Sequence, residues 1–395
     1  MARLKVLFIT AWYPTPERPT HGIFVAEHAK AARLFDDIVV LHWAGPDPSL
    51  KGLWRLEREV DEEISAGIPT YRIWHRDMPQ SKISYLVSLW AVWRGFRRLA
   101  SEGFRPDIIH AHVYKAGFPA VLIGKLMGVP VVVTEHSTAF PRRLLYGWHI
   151  RLARFTFRYA DVVLPVSAPL QKAIEGYGIC ARFHVVPNAV DTRVFRPAAQ
   201  SQAPDGQKRL LLVCNLDPSP KKGITCLLQA LARLRRRRED WRLDIVGDGP
   251  GRAEYERTAH ALGLASKIIF HGHQPKEQVA QSMRQADLLV VPSLVETFSV
   301  VAAEALVTGL PVLATRCGGP EGFVSEEVGR LVAPGDADAL CDGLADMMDH
   351  LAALSRERIW QYAADRFGPE RVGAQLHQVY EECLSSRREC HGITA

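Results

Sequence analysis

Short apolar runs rich in Val and Ile alternate with longer stretches of helical periodicity along almost the whole chain. In the first half the runs Lys5–Thr10, Ile38–His42, Asp107–Ala111, Val129–Thr134, Val162–Val166 and Phe183–Val186 predict strands. Several are apolar on both faces, the pattern of buried parallel strands. Between them Ile23–Leu34, Ile83–Ala100, Gly117–Met127, Tyr146–Tyr159 and Pro169–Tyr177 carry a helical pattern. Around Pro197–Gln207 the composition shifts to Ala, Gln, Ser, Pro, Asp and Gly, which predicts a linker. The alternation then restarts. Strands are expected at Arg209–Cys214, Trp241–Val246, Ile268–His271, Leu288–Val291 and Val312–Ala314. Helices are expected at Gly223–Arg236, Arg252–Leu262, Gln274–Gln285, Val300–Val307 and Ala337–Leu351, with a last one over Pro369–Leu384. Alternating β and α segments imply parallel β-α-β units. The expected organisation is therefore two doubly wound α/β domains, 1–196 and 209–368, joined by a linker at 197–208 and followed by a helical tail at 369–395. Ligands of open α/β sheets bind at the carboxyl ends of the strands, so a cleft between the two sheets is the expected active site.

Composition narrows the function classes. The chain has 395 residues, long enough for two domains; 47% are hydrophobic and 23% charged, which excludes a disordered chain. The formal charge of +6 permits an anionic partner but is too small to call for nucleic acid. Seven cysteines are scattered without a CxxC pair, the pattern of reduced thiols in a reducing compartment. Lys5 interrupts the first apolar run, which is then a first strand rather than the core of a signal peptide, about 7–15 apolar residues. No stretch approaches the ~20 apolar residues of a membrane span.

The most informative segment is Pro292-Ser-Leu-Val-Glu296-Thr-Phe-Ser299-Val300, running on to Glu304. A strand ends at Pro292 and a helix opens near Ser299. The amides of Phe298, Ser299 and Val300 at that helix start suit a phosphate. Glu304 lies about one turn into the helix and Glu296 just ahead of it; carboxylates there can accept hydrogen bonds from diols. Taken alone, both could equally be solvated. Lys221-Lys222-Gly223 opens the next helix after Arg209–Cys214 and suits a pyrophosphate, or is an exposed charged pair. Gly247-Asp-Gly249-Pro250 lets backbone pass close to a ligand or makes a tight turn. Because Arg252 replaces the last glycine of G-x-G-x-x-G, a nicotinamide or flavin enzyme is disfavoured. In the first half, His136 follows the strand Val129–Thr134, where it can hydrogen-bond a sugar or shuttle a proton. His110 and His112 share one face of the neighbouring strand, with no third metal ligand evident in sequence. Gly22 follows Trp12–His21 as a close-approach or plain turn glycine.

In this order the motifs resemble the retaining glycosyltransferases of family four, which have the GT-B fold. Glu296 and Glu304 match the E-x7-E motif, in sequence with Lys222-Gly223, Gly247-Asp-Gly-Pro250, Val-Pro-Asn188-Ala-Val-Asp191 and Gly318-Gly319-Pro320-Glu321. The resemblance covers nearly the whole chain. It implies that Glu304 binds the ribose hydroxyls of a nucleoside-diphosphate-sugar and that Glu296 sits near the donor sugar or reaction centre. It further implies that Lys222 and the amides at Phe298–Val300 hold the diphosphate, that His136 touches the sugar, and that Gly22 packs near the phosphates. The last helix is expected to cross back to the first domain. One departure stands out. Where the family commonly has an arginine paired with the lysine, this chain has Asn215, which brings no charge. Ser299 stands where the family often has glycine.

No metal cage is needed, so no metal and no cofactor beyond the nucleotide-sugar is expected. The acceptor is expected to be a saccharide or a lipid-linked glycan of cell-surface polysaccharide or glycolipid synthesis. Residues 83–100 and 142–160 interleave Arg with Trp, Phe and Tyr, which suits an anionic membrane surface. The expected location is cytoplasmic, with peripheral docking on the inner face of the cytoplasmic membrane. Two other functions fit the same architecture: a hydrolysing nucleotide-sugar epimerase, which needs no acceptor, and a non-catalytic nucleotide-sugar-binding protein.

Overall fold

The protein is described from a computed structural model that covers residues 3–47, 49–60, 66–76, 81–197 and 206–390. The chain forms two compact units, residues 1–189 together with 369–395, and residues 190–368. The first unit takes back the C-terminal segment, and the division falls at Val190, ahead of the expected linker.

The first unit contains strands β1 (Lys5–Thr10), β2 (Asp37–Asp47), β3 (Trp54–Glu59), β4 (Thr70–Arg76), β5 (Ile108–His112), β6 (Val131–Glu135) and β7 (Val162–Pro165). Its helices are α1 (Ile23–Arg33), α2 (Ser81–Ser101), α3 (Tyr114–Met127), α4 (Gly147–Tyr159) and α5 (Ala168–Glu175). The sheet order is β3-β4-β2-β1-β5-β6-β7, parallel except for the β3–β4 pair. The crossovers run one way from β1 through β2 and the other way from β5, so the switch point lies between β1 and β5. Strands β5, β6 and β7 are buried along their whole length, as expected of strands covered on both faces.

The second unit contains β8 (Lys208–Val213), β9 (Trp241–Val246), β10 (Ile268–Gly272), β11 (Leu288–Val291), β12 (Val312–Thr315) and β13 (Gly329–Val332). Its helices are α6 (Ile224–Arg235), α7 (Arg252–Ala261), α8 (Lys276–Gln285), α9 (Val300–Val307), α10 (Ala337–His350) and α11 (Arg356–Phe367). All pairs are parallel in the order β10-β9-β8-β11-β12-β13. The switch point here lies between β8 and β11. The Trp241 side chain is fully buried in this core with Leu227, Leu231 and Leu344.

Helix α12 (Pro369–Cys390) belongs to the first unit. Val372, Leu376, Val379 and Tyr380 enter the core that also holds Val25, Ala29 and Ala32 of α1. Burial of each large apolar side chain is worth roughly 1.5–3 kcal/mol. Gly373 makes the approach possible: a Cβ there would stand 2.2 Å from the Ala31 carbonyl oxygen. His377 to Asp36 (2.8 Å) and Arg387 to both oxygens of Asp161 (3.0 Å) fix the helix in register.

Four elements depart from the sequence pattern. Strands β3, β4 and β13 and helix α11 carry no expectation. β3 is an edge strand with a largely exposed, charged face, and β13 is four residues long. α11 is started by the Ser355 hydroxyl accepting from the Arg358 amide, and buries only Ile359, Ala363 and Phe367. Conversely, Phe183–Val186 forms no regular strand: it meets β7 through an isolated bridge, Phe183 to Val163, and through the His184 and Val186 amides, which donate to the Val163 and Pro165 carbonyls at 3.0 and 3.2 Å.

Candidate active site

In the second unit the residues singled out from sequence collect at the β8/β11 switch point. A single 3₁₀ turn, Pro220–Lys222, follows β8, with the Ser219 hydroxyl accepting from the Lys221 amide. Gly223 then takes a left-handed conformation (φ 67°) and packs on Pro292 at the end of β11; a Cβ would stand 1.8 Å from the Pro292 oxygen. The Leu294 amide donates to the Lys221 carbonyl at 2.8 Å, locking the two loops together. This is what aims Lys222: its Nζ lies 2.8 Å from Oε1 of Glu296, which also accepts from the Ser293 hydroxyl at 2.8 Å. Burial works against the ammonium, but the Glu296 carboxylate outweighs it, and the net shift of Lys222 is upward. Lysine is therefore fully charged at neutral pH and electrically matched by its neighbour.

Glu296 is itself held by main chain on both sides. Its amide donates to Cys317 and its carbonyl accepts from Gly319, at 2.7 and 2.8 Å. Gly319 lies so close to Phe298 that a Cβ would come within 2.4 Å of its backbone. The thiols flanking the pair, Cys214 and Cys317, are pushed up to about 12 by burial and remain protonated, so neither serves as a nucleophile. Cys180, Cys214, Cys226, Cys317, Cys341 and Cys383 are free thiols.

Ser299 precedes α9 in a left-handed conformation (φ 71°, ψ 77°), and its buried hydroxyl has no hydrogen-bond partner among the described residues. A non-glycine residue pays roughly 1–2 kcal/mol there. The α9 helix is buried along most of its length; Val300, Val301 and Glu304 are its partly open positions, and these share one face at helical spacing. A carboxylate on the open face of an otherwise apolar helix, one turn from its amide end, is placed to meet a polar ligand.

Gly247 and Gly249 lie against the protein's own backbone. A Cβ at Gly247 would stand 1.8 Å from the Cys214 oxygen, and one at Gly249 would stand 2.7 Å from the Leu216 oxygen. The Leu216 amide donates to Asp248 and the Gly251 amide to Leu216. The glycine loop is thus laid against the exit of β8, where Asn215 donates to Asp217 at 3.3 Å.

The first unit brings a different chemistry to its own strand ends. Gly22 (φ 69°) folds the β1–α1 loop back on itself: a Cβ would be 2.3 Å from the Trp12 carbonyl carbon. His136 is buried, with its Nε2 3.1 Å from Nδ1 of His112 and its ring 4.5 Å from that of Phe24. The Asn188 side chain lies near the His136 ring and favours its charged form, against the larger effect of burial. Burial holds His112 and His136 far below the usual imidazole range, so both are neutral.

Sequence reasoning missed three participants. His28 of α1 packs against His112 and His136, at 5.7 and 5.6 Å between ring centroids; ligating atoms of the three lie within 4.8 Å of one another, close enough to hold a metal ion. The helical spacing gives no sign of this, because the third ring arrives by packing. Glu135 is fully buried and accepts from the amides of Tyr114, His136 and Ser137 at 2.9, 3.0 and 2.7 Å. Burial pushes its carboxyl up to about 7 despite those donors. Val113, between β5 and α3, has φ 70°, an outlier for a β-branched residue at the switch point.

Residues 142–159 and α2 place aromatic and basic side chains on the surface of the first unit. Leu86, Trp90, Leu126 and Tyr146 are 63%, 41%, 68% and 77% exposed. Arg97, Arg142, Arg143, Arg151 and Arg158 are exposed and make no ion pair with a described residue. No helix of the described residues is long and apolar enough to cross a membrane.

Comparison with known proteins places these features. Residues 196–366 match the family described as glycosyl transferases group 1, and residues 56–194 match glycosyltransferase family 4. The chain is 30% identical to a D-inositol 3-phosphate glycosyltransferase of Segniliparus rotundus, over 72% of this chain and 68% of that one. It is 28% identical to an MMP alpha-(1->4)-mannosyltransferase of Mycolicibacterium hassiacum, over 87% and 84% of the two chains. Anabaena HepE, solved with UDP and glucose, superposes with a TM-score of 0.72 at 20% identity, covering 96% of this chain and all of that one. The two Rossmann-like units are those of a GT-B protein, and the chain belongs to the family 4, group 1 glycosyltransferases, enzymes that transfer sugar from a nucleotide-sugar donor.

Proposed function

We propose that the protein is a retaining glycosyltransferase that moves a sugar from a nucleoside-diphosphate-sugar to a glycan or lipid-linked acceptor in cell-surface polysaccharide or glycolipid synthesis. The observation that carries this is the Lys222–Glu296 pair at the β8/β11 switch point, beside the amide end of α9 and the half-open Glu304. Without donor, the ammonium of Lys222 is neutralised by Glu296. A diphosphate entering beside it offers a stronger partner, and the first amides of α9 meet its remaining charge. Departure of the nucleoside diphosphate builds negative charge on the leaving oxygen, and these fixed donors stabilise it. Glu304 takes the ribose hydroxyls, Glu296, held by the Ser293 hydroxyl, stays near the sugar, and His136 contacts the sugar. With a lysine and helix amides meeting the diphosphate, transfer proceeds without a metal.

The exposed apolar and unpaired basic positions of α2 and residues 142–159 support an anionic membrane surface as a partner and a lipid-linked acceptor, with the protein peripheral on the cytoplasmic face. A non-catalytic nucleotide-sugar-binding role is favoured by one observation, the uncharged Asn215 bonded to Asp217.

A thermal-shift panel of UDP, GDP, ADP and their sugars tests the proposal. The matching nucleotide raises the melting temperature by mass action, and Glu304→Gln reduces the shift. Donor turnover with an acceptor-bearing membrane extract separates transfer from binding alone. A nucleotide that binds without any turnover would leave the non-catalytic role standing.

A further inference from the structure

His110, His112 and His136 form a file of stacked imidazoles in the core of the first unit. His110 is fully engaged: its Nδ1 lies 2.7 Å from the Tyr380 hydroxyl of α12 and its Nε2 2.6 Å from the Thr134 hydroxyl. Its ring stacks on His112 at 4.5 Å and braces it, and His112 stacks on His136 at 5.4 Å with 18° between planes. Beyond His110 the nitrogens are spent differently. His28 arrives from α1, and its Nε2 lies 2.9 Å from the Pro187 carbonyl. A carbonyl only accepts, so Nε2 carries the proton and Nδ1 is a lone pair. That Nδ1 is buried with no hydrogen-bond partner among the described residues, and so is Nε2 of His112. Buried polar atoms are costly unless they are used. A ring nitrogen of each of His28, His112 and His136 lies within 4.8 Å of the other two.

We infer that His28, His112 and His136 form a binding site for a divalent transition metal of the zinc class. Tetrahedral zinc holds imidazole nitrogens at about 2.0–2.1 Å, hence about 3.3 Å from one another. Nδ1 of His112 and Nε2 of His136 already stand 3.1 Å apart. Ring movement of about 1.5 Å closes a 4.8 Å separation to the same spacing. His28 is anchored as ligating histidines are, with its far N–H on a backbone carbonyl. The donor set selects the metal: three imidazole nitrogens suit zinc, nickel or copper and not magnesium or calcium, which want oxygen. Glu135, the neighbouring carboxylate, spends its oxygens on the amides of Tyr114, His136 and Ser137. Three protein ligands leave a fourth position for water or another small ligand. The rings are held without the ion, by Pro187, Phe24 and the Tyr380–His110 brace, so the metal is not what folds the unit. Its consequence follows from the proposed function. A metal that takes His136 withdraws it from the donor sugar, which makes the metal an inhibitor of transfer and not a cofactor. That consequence rests on the reading of His136 as a sugar contact; the binding site does not.

The test uses the full chain without a polyhistidine tag and zinc chloride as the probe. Calorimetry should give one zinc per chain, and X-ray absorption at the zinc edge a nitrogen shell at about 2.0 Å with no sulfur. His28→Gln keeps a side-chain donor for the Pro187 carbonyl, and His112→Phe keeps a stacking ring. Each should weaken zinc binding by more than about 100-fold, since loss of a mere second-shell partner commonly costs about 10–100-fold. Melting curves without metal show that each variant is folded, and if one is not, the other decides. The absence of stoichiometric binding to the wild type overturns the inference. So does binding that survives the substitutions, or a sulfur shell at about 2.3 Å, which would put the zinc on the free thiols. In transfer assays saturating zinc should lower kcat/KM of the wild type by about 100-fold, as loss of a positioned contact does, and leave His28→Gln unaffected. Equal inhibition of both proteins, or of neither, overturns the inhibitory role. If no donor supports transfer, binding and absorption still decide the site, so the failure of the proposed function and of this inference are told apart.

Discussion

The two units share one topology and put opposite chemistry on it. At the switch point of the second, an ammonium and a carboxylate face each other, largely but not wholly buried; at that of the first, three imidazoles are sunk in the core as neutral rings. The surfaces differ in the same spirit. In the second unit Arg233, Arg237, Arg238 and Arg252 pair with carboxylates, several of them on α10. In the first, a set of arginines of similar exposure has no acidic partner among the described residues and lies among exposed Leu, Trp and Tyr. Elsewhere in the first unit Arg98, Arg182 and Arg387 also pair with carboxylates; the open arginines lie on α2 and residues 142–159, the face proposed to meet an anionic surface, as the Lys222 end of the second unit is proposed to meet a diphosphate. Surface ion pairs contribute little to stability, so the contrast concerns binding rather than folding.

The comparison can be broken at several points, beginning with the largest effect. Lys222→Ala removes the charge proposed to meet the diphosphate and leaves Glu296 uncompensated. Steady-state kinetics should show kcat/KM falling by about 10²–10³-fold. If the variant turns over normally, the charged switch point is not the donor site. Next, Arg97→Glu combined with Arg158→Glu should weaken binding to phosphatidylserine vesicles by roughly 30-fold, given about 1 kcal/mol per basic residue near an anionic surface. Arg233→Glu with Arg237→Glu on the second unit should change it far less. Equal losses would erase the distinction between the two surfaces.

A third experiment concerns the buried charge of the first unit. Glu135 has its carboxyl raised from 4.5 to about 7 by burial. The folded state thus holds a proton that the unfolded chain has released, and that contribution to stability is present below about pH 4.5 and lost as pH rises to about 7. Melting temperatures should show a downward component across this window, amounting to several degrees, which Glu135→Gln removes whatever its effect on the absolute value. The smallest effect belongs to Ser299. Its left-handed backbone and buried unpartnered hydroxyl both argue that Ser299→Gly stabilises the second unit, by roughly 0.5–1 kcal/mol after the added unfolded-state entropy of glycine. Denaturant unfolding would measure it.

Much of this was legible before any coordinates. The alternating periodicity specified two parallel α/β units, because strands buried on both faces must be continuously apolar and their crossovers must be helical. Motif order gathered the proposed donor residues, since Lys222, Glu296, Ser299 and Glu304 each follow a strand end at a fixed spacing and local chain direction carries them to one edge. The left-handed conformation of Ser299 falls where a glycine is usual, a strain that the sequence already marked. Gly247 and Gly249 were ambiguous between ligand and turn, and packing lays both against the exit of β8, where a Cβ would meet the Cys214 and Leu216 oxygens.

What sequence alone determined was therefore local: which segments are strands and helices, and which polar residues stand just beyond strand ends. What only the tertiary structure decided was what those residues touch. Strands β3, β4 and β13 exist because a neighbouring strand supplies their hydrogen bonds, not because their own pattern demands it. The salt bridge between Lys222 and Glu296 joins residues brought together by the adjacency of β8 and β11. His28, Tyr380 and Asn188 reach the histidine file from a helix, a C-terminal segment and a loop, all remote in sequence. Periodicity encodes the face a residue presents; it does not encode the partner waiting there, and for buried polar groups the partner sets charge, tautomer and role.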